Sequence, residues 1–151
     1  MKWFFTSKEN QDKLRDELRE WQGTPFRHYA GVKQAGVDCI HFVLGAYESV
    51  GALKNAYHFI PRYGHDWCHH TTEERLYRFF KGYKSFGEVR YTEPENGDVL
   101  LYKFGKAASH CGIFYGGNVY QAIDGMGVCR LYVKDPTWVN RLRFAFRIKN
   151  G

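Results

Sequence analysis

The sequence predicts an α+β fold, with helices in the front half and an antiparallel sheet behind them. Three observations carry this expectation. Apolar residues recur at helical spacing in the front half. From Gly97 onward the repeat changes to two. A Gly116-Gly117 pair between two apolar runs marks a tight hairpin, which joins antiparallel neighbours.

The elements follow in order. Lys8–Trp21 is a polar helix that brings Leu14, Leu18 and Trp21 to one face, with Ser7 as its cap. The stretch 23–36 is too rich in glycine and turn residues for a regular element. A second helix spans about 39–50, with a buried stripe of Ile40, Val43, Leu44, Tyr47 and Val50. Asp38 is its natural N-cap and Gly51 its natural stop. A third helix is expected over about 72–80, capped by Thr71 or Thr72, with Glu73 and Glu74 in its first turn. Strands are expected at 98–104, 110–115, 119–123, 128–133 and Leu142–Ile148. The 151 residues are enough for one core, and no repeat or Pro/Gly/Ser linker divides them. A single domain over 1–151 is therefore expected.

Charge and targeting narrow the function classes. The net charge of +6 suits an anionic partner, but no block of basic residues occurs, which argues against nucleic acid. Aromatic residues reach 18%, and most of them are expected in the core. No stretch approaches the length of a membrane span. The start, Met1-Lys2-Trp3-Phe4-Phe5, turns polar at Thr6, so no signal peptide is expected. The expectation is synthesis in the cytoplasm, with any action outside the cell depending on another delivery route. The four cysteines contain no CxxC pair and need no disulfide framework.

Cys39 stands out among the cysteines by position. It opens the second helix directly after the cap, where unpaired N–H groups and the helix dipole favour a thiolate. The same N–H groups can hold a developing oxyanion. Cys111 and Cys129 fall in strands and are read as structural. A thiol nucleophile needs a base, and the base needs an orienter. Of seven histidines, His110 is the one at the head of a strand in the sheet expected against the Cys39 helix. If Gly116-Gly117 is a two-residue turn, Tyr115 pairs with Asn118. His110, Gly112 and Gln121 then share the face toward Cys39, with Gln121 a diagonal neighbour of His110 at about 7–8 Å between backbones. Asp124 points away in this register, so the orienter is the neutral Gln121. A three-residue turn would remove Gln121 from that face.

These segments together resemble the NlpC/P60 family of cysteine peptidases. Asp38-Cys39-Ile40-His41 is similar to the family's Asp-Cys-Ser-Gly motif, and His110-Cys111-Gly112-Ile113 to its His-Val-Gly-Ile motif. Gln121-Ala122 stands at its third polar position. Gly97-Asp98-Val99-Leu100-Leu101 resembles its Gly-Asp-Leu strand. The stretch Trp21-Gln22-Gly23-Thr24-Pro25-Phe26-Arg27-His28 resembles phage-tail and gene-transfer-agent members.

The likeness runs from Trp21 to Ile123, and an insertion at 52–96 matches nothing in it. It implies a papain-like α+β fold, a catalytic set of Cys39, His110 and Gln121, and no cofactor or metal. It also implies hydrolysis of a D-glutamyl–diamino acid bond in peptidoglycan stem peptides, within a phage-tail-like or exported assembly. Substrate contacts fall to Asp38, Phe26, Tyr29, Ile40 and His41. Phe26 stands where the family often has a tyrosine that positions the nucleophile, a role left to Tyr29. Ile40-His41 replaces Ser-Gly in the wall of the substrate site.

Three other readings remain open. The fold could serve as a wall-binding module that has lost its chemistry, or as an acyltransferase on the same triad. The cluster His65-Asp66-Trp67-Cys68-His69-His70, with His58 upstream, could instead mark a zinc-stabilised binding module.

Overall fold

The computed structural model describes residues 2–64 and 72–151. The first helix, α1, spans Lys8–Trp21 as expected, and the Ser7 side chain accepts the Asn10 N–H at its start. Its Leu14, Leu18 and Trp21 are buried. The turn-rich stretch holds one small element, an antiparallel pair of two-residue strands, β1 (Gly31–Val32) and β2 (Gly36–Val37).

The second helix, α2, spans Cys39–Ser49, with Asp38 accepting the His41 N–H as N-cap. The expected apolar stripe is in fact nearly the whole helix, because every residue from Ile40 to Tyr47 is buried. A helix that is covered all round is the central element of its layer. α1 packs on one side of it, with Trp21 and Phe42 ring centroids 5.6 Å apart, and the sheet packs on another.

The third helix, α3, runs Arg75–Gly82, later than expected. Thr71 lies outside the described residues, and Thr72 caps nothing. Glu74 occupies the cap position, but its carboxylate accepts the Ala108 N–H from the sheet at 3.2 Å instead of a helix N–H. That contact sets where the helix begins.

Six antiparallel strands form the sheet in the order β3-β8-β4-β5-β6-β7. They are β3 (Phe86–Val89), β4 (Val99–Phe104), β5 (Ala107–Tyr115), β6 (Asn118–Ile123), β7 (Gly127–Tyr132) and β8 (Leu142–Ile148). β3 and a short helix α4 (Pro136–Val139) were not anticipated. β5 starts at Ala107, so His110 sits inside the strand and not at its head. Side chains divide between the two faces. Val99, Leu101, Cys111, Ile113, Tyr120 and Phe146 join α2 in the main core, while Leu100, Tyr102, Val119, Leu142 and Ala145 form a second cluster.

The Gly97-Asp98 turn ties these layers together. Asp98 is fully buried, and Arg147 on β8 clasps its two oxygens at 2.8 and 2.9 Å. The Tyr47 hydroxyl of α2 donates to the Gly97 carbonyl at 2.6 Å. Gly97 has φ +97°, and a Cβ there would stand 2.4 Å from the Phe5 ring. Breaking a buried, bidentate pair leaves one charge stranded. Arg147→Met should cost roughly 3–5 kcal/mol of unfolding free energy in urea titration. A loss below about 1 kcal/mol would mean that the pair behaves like a surface ion pair.

Candidate active site

Cys39 is the first residue of α2, so its sulfur sits where the helix presents unpaired N–H groups. Asp38 is held in place there from several directions. Its Oδ1 accepts the His41 N–H at 3.0 Å and lies 2.7 Å from His41 Nδ1. Its Oδ2 accepts the Tyr29 N–H at 2.8 Å and the Tyr63 hydroxyl. Burial alone would raise the Asp38 pKa. The hydrogen bonds from His41 and Tyr63 outweigh it, and the carboxyl ends below its usual value.

The Cys39 sulfur faces β5, where its S–H donates to the Ser109 carbonyl at 3.9 Å. The next two residues of that strand, His110 and Cys111, act electrostatically on the thiol. β5 carries a bulge here: Tyr102 pairs with His110 and Lys103 with Ala108, so Ser109 has no ladder partner on β4, and its hydroxyl donates to the Phe104 carbonyl at 3.2 Å. The Cys39 thiol is driven well below its ordinary pKa, first by the hydrogen bond with Cys111. Burial opposes this shift, and the hydrogen bond and charge of His110 reinforce it. Burial, followed by the neighbouring Cys39, pushes the Cys111 thiol up.

His110 Nε2 lies 2.6 Å from Gln121 Oε1. An amide oxygen only accepts, so Nε2 carries the proton and Nδ1 is the nitrogen left for the thiol. The two-residue turn sets this pairing: Tyr115 stands opposite Asn118 and Ile113 opposite Tyr120. Gly112 leaves the space, since a Cβ there would stand 3.0 Å from Gln121 Cβ and 2.7 Å from Val119 Cγ1. His110 and Gln121 thus share a face, as expected, but α2 packs on the opposite one.

A cleft of about 860 Å³ opens at Cys39. Phe26, Asp38, Ile40 and His110 line it. His41 and Tyr29 are not among its lining residues. The Asp38 carboxylate draws His41 into a buried cluster, between the rings of Tyr29 at 4.9 Å and Tyr57 at 5.0 Å. The Tyr29 hydroxyl donates to the Ile60 carbonyl at 3.3 Å, not to the nucleophile.

Sequence reasoning missed two neighbours of the site. Tyr63 comes from the 52–96 insertion, and no periodicity flags it. Trp138 of α4 lines the cleft, with its ring centroid 5.7 Å from that of His110. The Asp135-Pro136 pair, an N-cap followed by proline at the first helical position, was a legible signal for that helix.

The cluster from His65 to His70 lies outside the described residues. Among the described residues, no group of three His, Cys, Asp or Glu side chains could hold a metal ion. Nor, among them, is any helix long and apolar enough to cross a membrane.

The sequence profile of the NlpC/P60 family matches residues 23–147. The chain belongs to this family. The match extends beyond the likeness read from motifs and takes in β7 and most of β8. Relatives include a murein DD-endopeptidase MepS/murein LD-carboxypeptidase of Escherichia coli K12, 24% identical over 140 residues. That alignment covers 91% of this chain, and the chain spans only 63% of that relative's length. A protein named "Probable endopeptidase NlpC" from the same strain is 28% identical over 139 residues, covering 89% of this chain and 76% of its own. Two solved NlpC/P60 structures share the fold. A lipoprotein-like family member from Staphylococcus aureus Mu50 gives a TM-score of 0.66 at 19% identity, covering 96% of this chain and 43% of that one. The NlpC/P60 domain of the peptidoglycan hydrolase SagA gives 0.61 at 18% identity, covering 89% and 96%.

The lowered pKa has a direct consequence, because a depressed thiol keeps its charge as pH falls. Alkylation of Cys39 by iodoacetamide, read from the mass of its peptide, should slow by less than about threefold between about pH 8 and about pH 6.5. A thiol with the ordinary pKa of about 8.5 would slow about twentyfold over that span, and such a loss would contradict the geometry described.

Proposed function

We propose that this protein is a cysteine peptidase that hydrolyses an amide bond in peptidoglycan stem peptides. One observation carries the reading: a thiol at a helix N-terminus lines the same cleft as an imidazole that Gln121 holds at 2.6 Å. The names of the relatives support the substrate class, and a net charge of +6 suits an acidic wall polymer. The bond proposed is the one after D-glutamate and before the diamino acid.

In the proposed reaction the Cys39 thiolate attacks the amide carbon. The N–H groups at the start of α2 hold the oxyanion that forms. His110, having taken the thiol proton at Nδ1, returns it to the leaving amine as the C–N bond breaks. A water then attacks the thioester and gives its proton to His110, which releases the acid and restores the thiol. Gln121 is uncharged and acts only by fixing the imidazole through its amide oxygen. The Trp138 ring packs beside that of His110, with centroids 5.7 Å apart.

Defined stem peptides, with products identified by mass, test this division of labour. Cys39→Ala should abolish cleavage with the fold intact. His110→Ala should lower single-turnover rates by roughly 10²–10⁴-fold. Gln121→Ala should retain measurable turnover, and Gln121→His should recover much of the rate. Full cleavage by Cys39→Ala would end the reading. Equal damage from Gln121→Ala and His110→Ala would show that Gln121 does more than orient.

A further inference from the structure

The 52–96 insertion builds one wall of the cleft at Cys39, where Phe59, Ile60, Pro61, Arg62 and Tyr63 all line it. This wall is tied to the nucleophile's own support at two points. The Tyr63 hydroxyl donates to the Asp38 carboxylate, and the Ile60 carbonyl accepts from the Tyr29 hydroxyl at 3.3 Å. Arg62 lies between these anchors in the chain. Its backbone is therefore held against the residue that precedes Cys39.

Three arginines line the cleft, and they differ in how their charge is met. Arg75 and Arg78 share Glu73, at 3.6 and 2.8 Å. Both oxygens of Asp38 are already taken by His41, Tyr29 and Tyr63. Arg62 is exposed, and among the described residues no carboxylate stands within ion-pair distance of it. Its guanidinium carbon instead sits 5.3 Å from the centroid of the Tyr29 ring. That contact steadies the planar group and spends none of its N–H donors on a carboxylate. Most exposed arginines merely keep a surface solvated. This one lines a cleft, so a bound substrate removes water from it, and a charge covered in that way needs an anion in return. The proposed substrate brings one. A glutamate joined to the next residue through one carboxyl keeps the other, a few bonds from the scissile carbonyl.

We propose that Arg62 is a specificity-determining residue that pairs with this free carboxylate of the substrate's glutamate, so that the enzyme selects stem peptides in which the group is ionised over those in which it is an amide. The inference rests on the substrate and scissile bond of the proposed function. The planar fork of a guanidinium matches both oxygens of a carboxylate, whereas an amide offers one acceptor and no charge.

The test uses two defined stem peptides that differ only in whether that glutamate carboxyl is free or amidated. The readout is the ratio of their kcat/KM values, in which any general loss of activity or folding cancels. The parent should favour the free carboxylate by about tenfold or more, the range expected of a hydrogen bond between charged groups. Arg62→Gln should bring the ratio below about threefold. Arg62→Lys keeps the charge without the fork and should fall between them. A parent that cleaves both peptides equally well would overturn the proposal and leave the proposed function standing. So would an unchanged ratio in Arg62→Gln, or loss of both cleavages in the glutamine and lysine variants alike, which would mark Arg62 as structural. A parent that cleaves neither peptide would remove both readings.

Discussion

The position of the reactive sulfur depends on one buried carboxylate. Asp38 caps α2 through the His41 N–H, holds the His41 ring, and accepts from the Tyr29 backbone and the Tyr63 hydroxyl. Three segments are thereby fixed to one point: the turn-rich stretch, the helix and the insertion. Hydrogen bonds to an ionised acceptor are the stronger kind, and here they outweigh the cost of burying it. Asp38 also repels a thiolate at the next residue. The site therefore needs favourable groups on the sheet side, and β5 supplies them.

The sheet supplies them because of two local departures from regularity. A bulge leaves Ser109 out of the β4 ladder, at the point where its carbonyl accepts from the Cys39 thiol. Gly112 leaves room for Gln121 to lean toward His110. The amide oxygen of Gln121 is used, but its Nε2 is buried with no partner among the described residues. An unpaired buried donor costs roughly 1–3 kcal/mol. A residue kept at that cost fits a role in orienting the imidazole better than a role in stability.

Much of this was legible in the sequence. Short-range signals fixed the α1 boundaries, the Asp38 cap and the two-residue turn at Gly116-Gly117. That turn alone sets which β6 residue meets His110, because register in a hairpin follows from its loop. The fold class and the family likeness needed no more than these elements and their order. Long-range contacts were not legible. Glu74 reaching across to Ala108 moved the start of α3, and nothing in the local sequence announces it. Strict alternation put Cys111 on the face opposite His110, and the structure has it there, buried in the main core. The bulge at Ser109 depends on how β4 pairs, which one strand cannot reveal. His41 looked like part of the substrate wall until Asp38, three residues before it, drew it inward. Tyr63 and Trp138 reach the site from segments without a counterpart in the motifs.

The central claim is that Cys39 forms a covalent bond to the substrate acyl group during turnover. Rapid acid quench of the protein with a defined stem peptide, followed by intact and peptide-level mass measurement, tests it directly. The account predicts a transient adduct of the N-terminal product fragment, localised to the peptide that contains Cys39. It predicts no such adduct in Cys39→Ser under the same conditions. Steady cleavage with no adduct at Cys39 at any quench time, together with undiminished cleavage by Cys39→Ser, would contradict it.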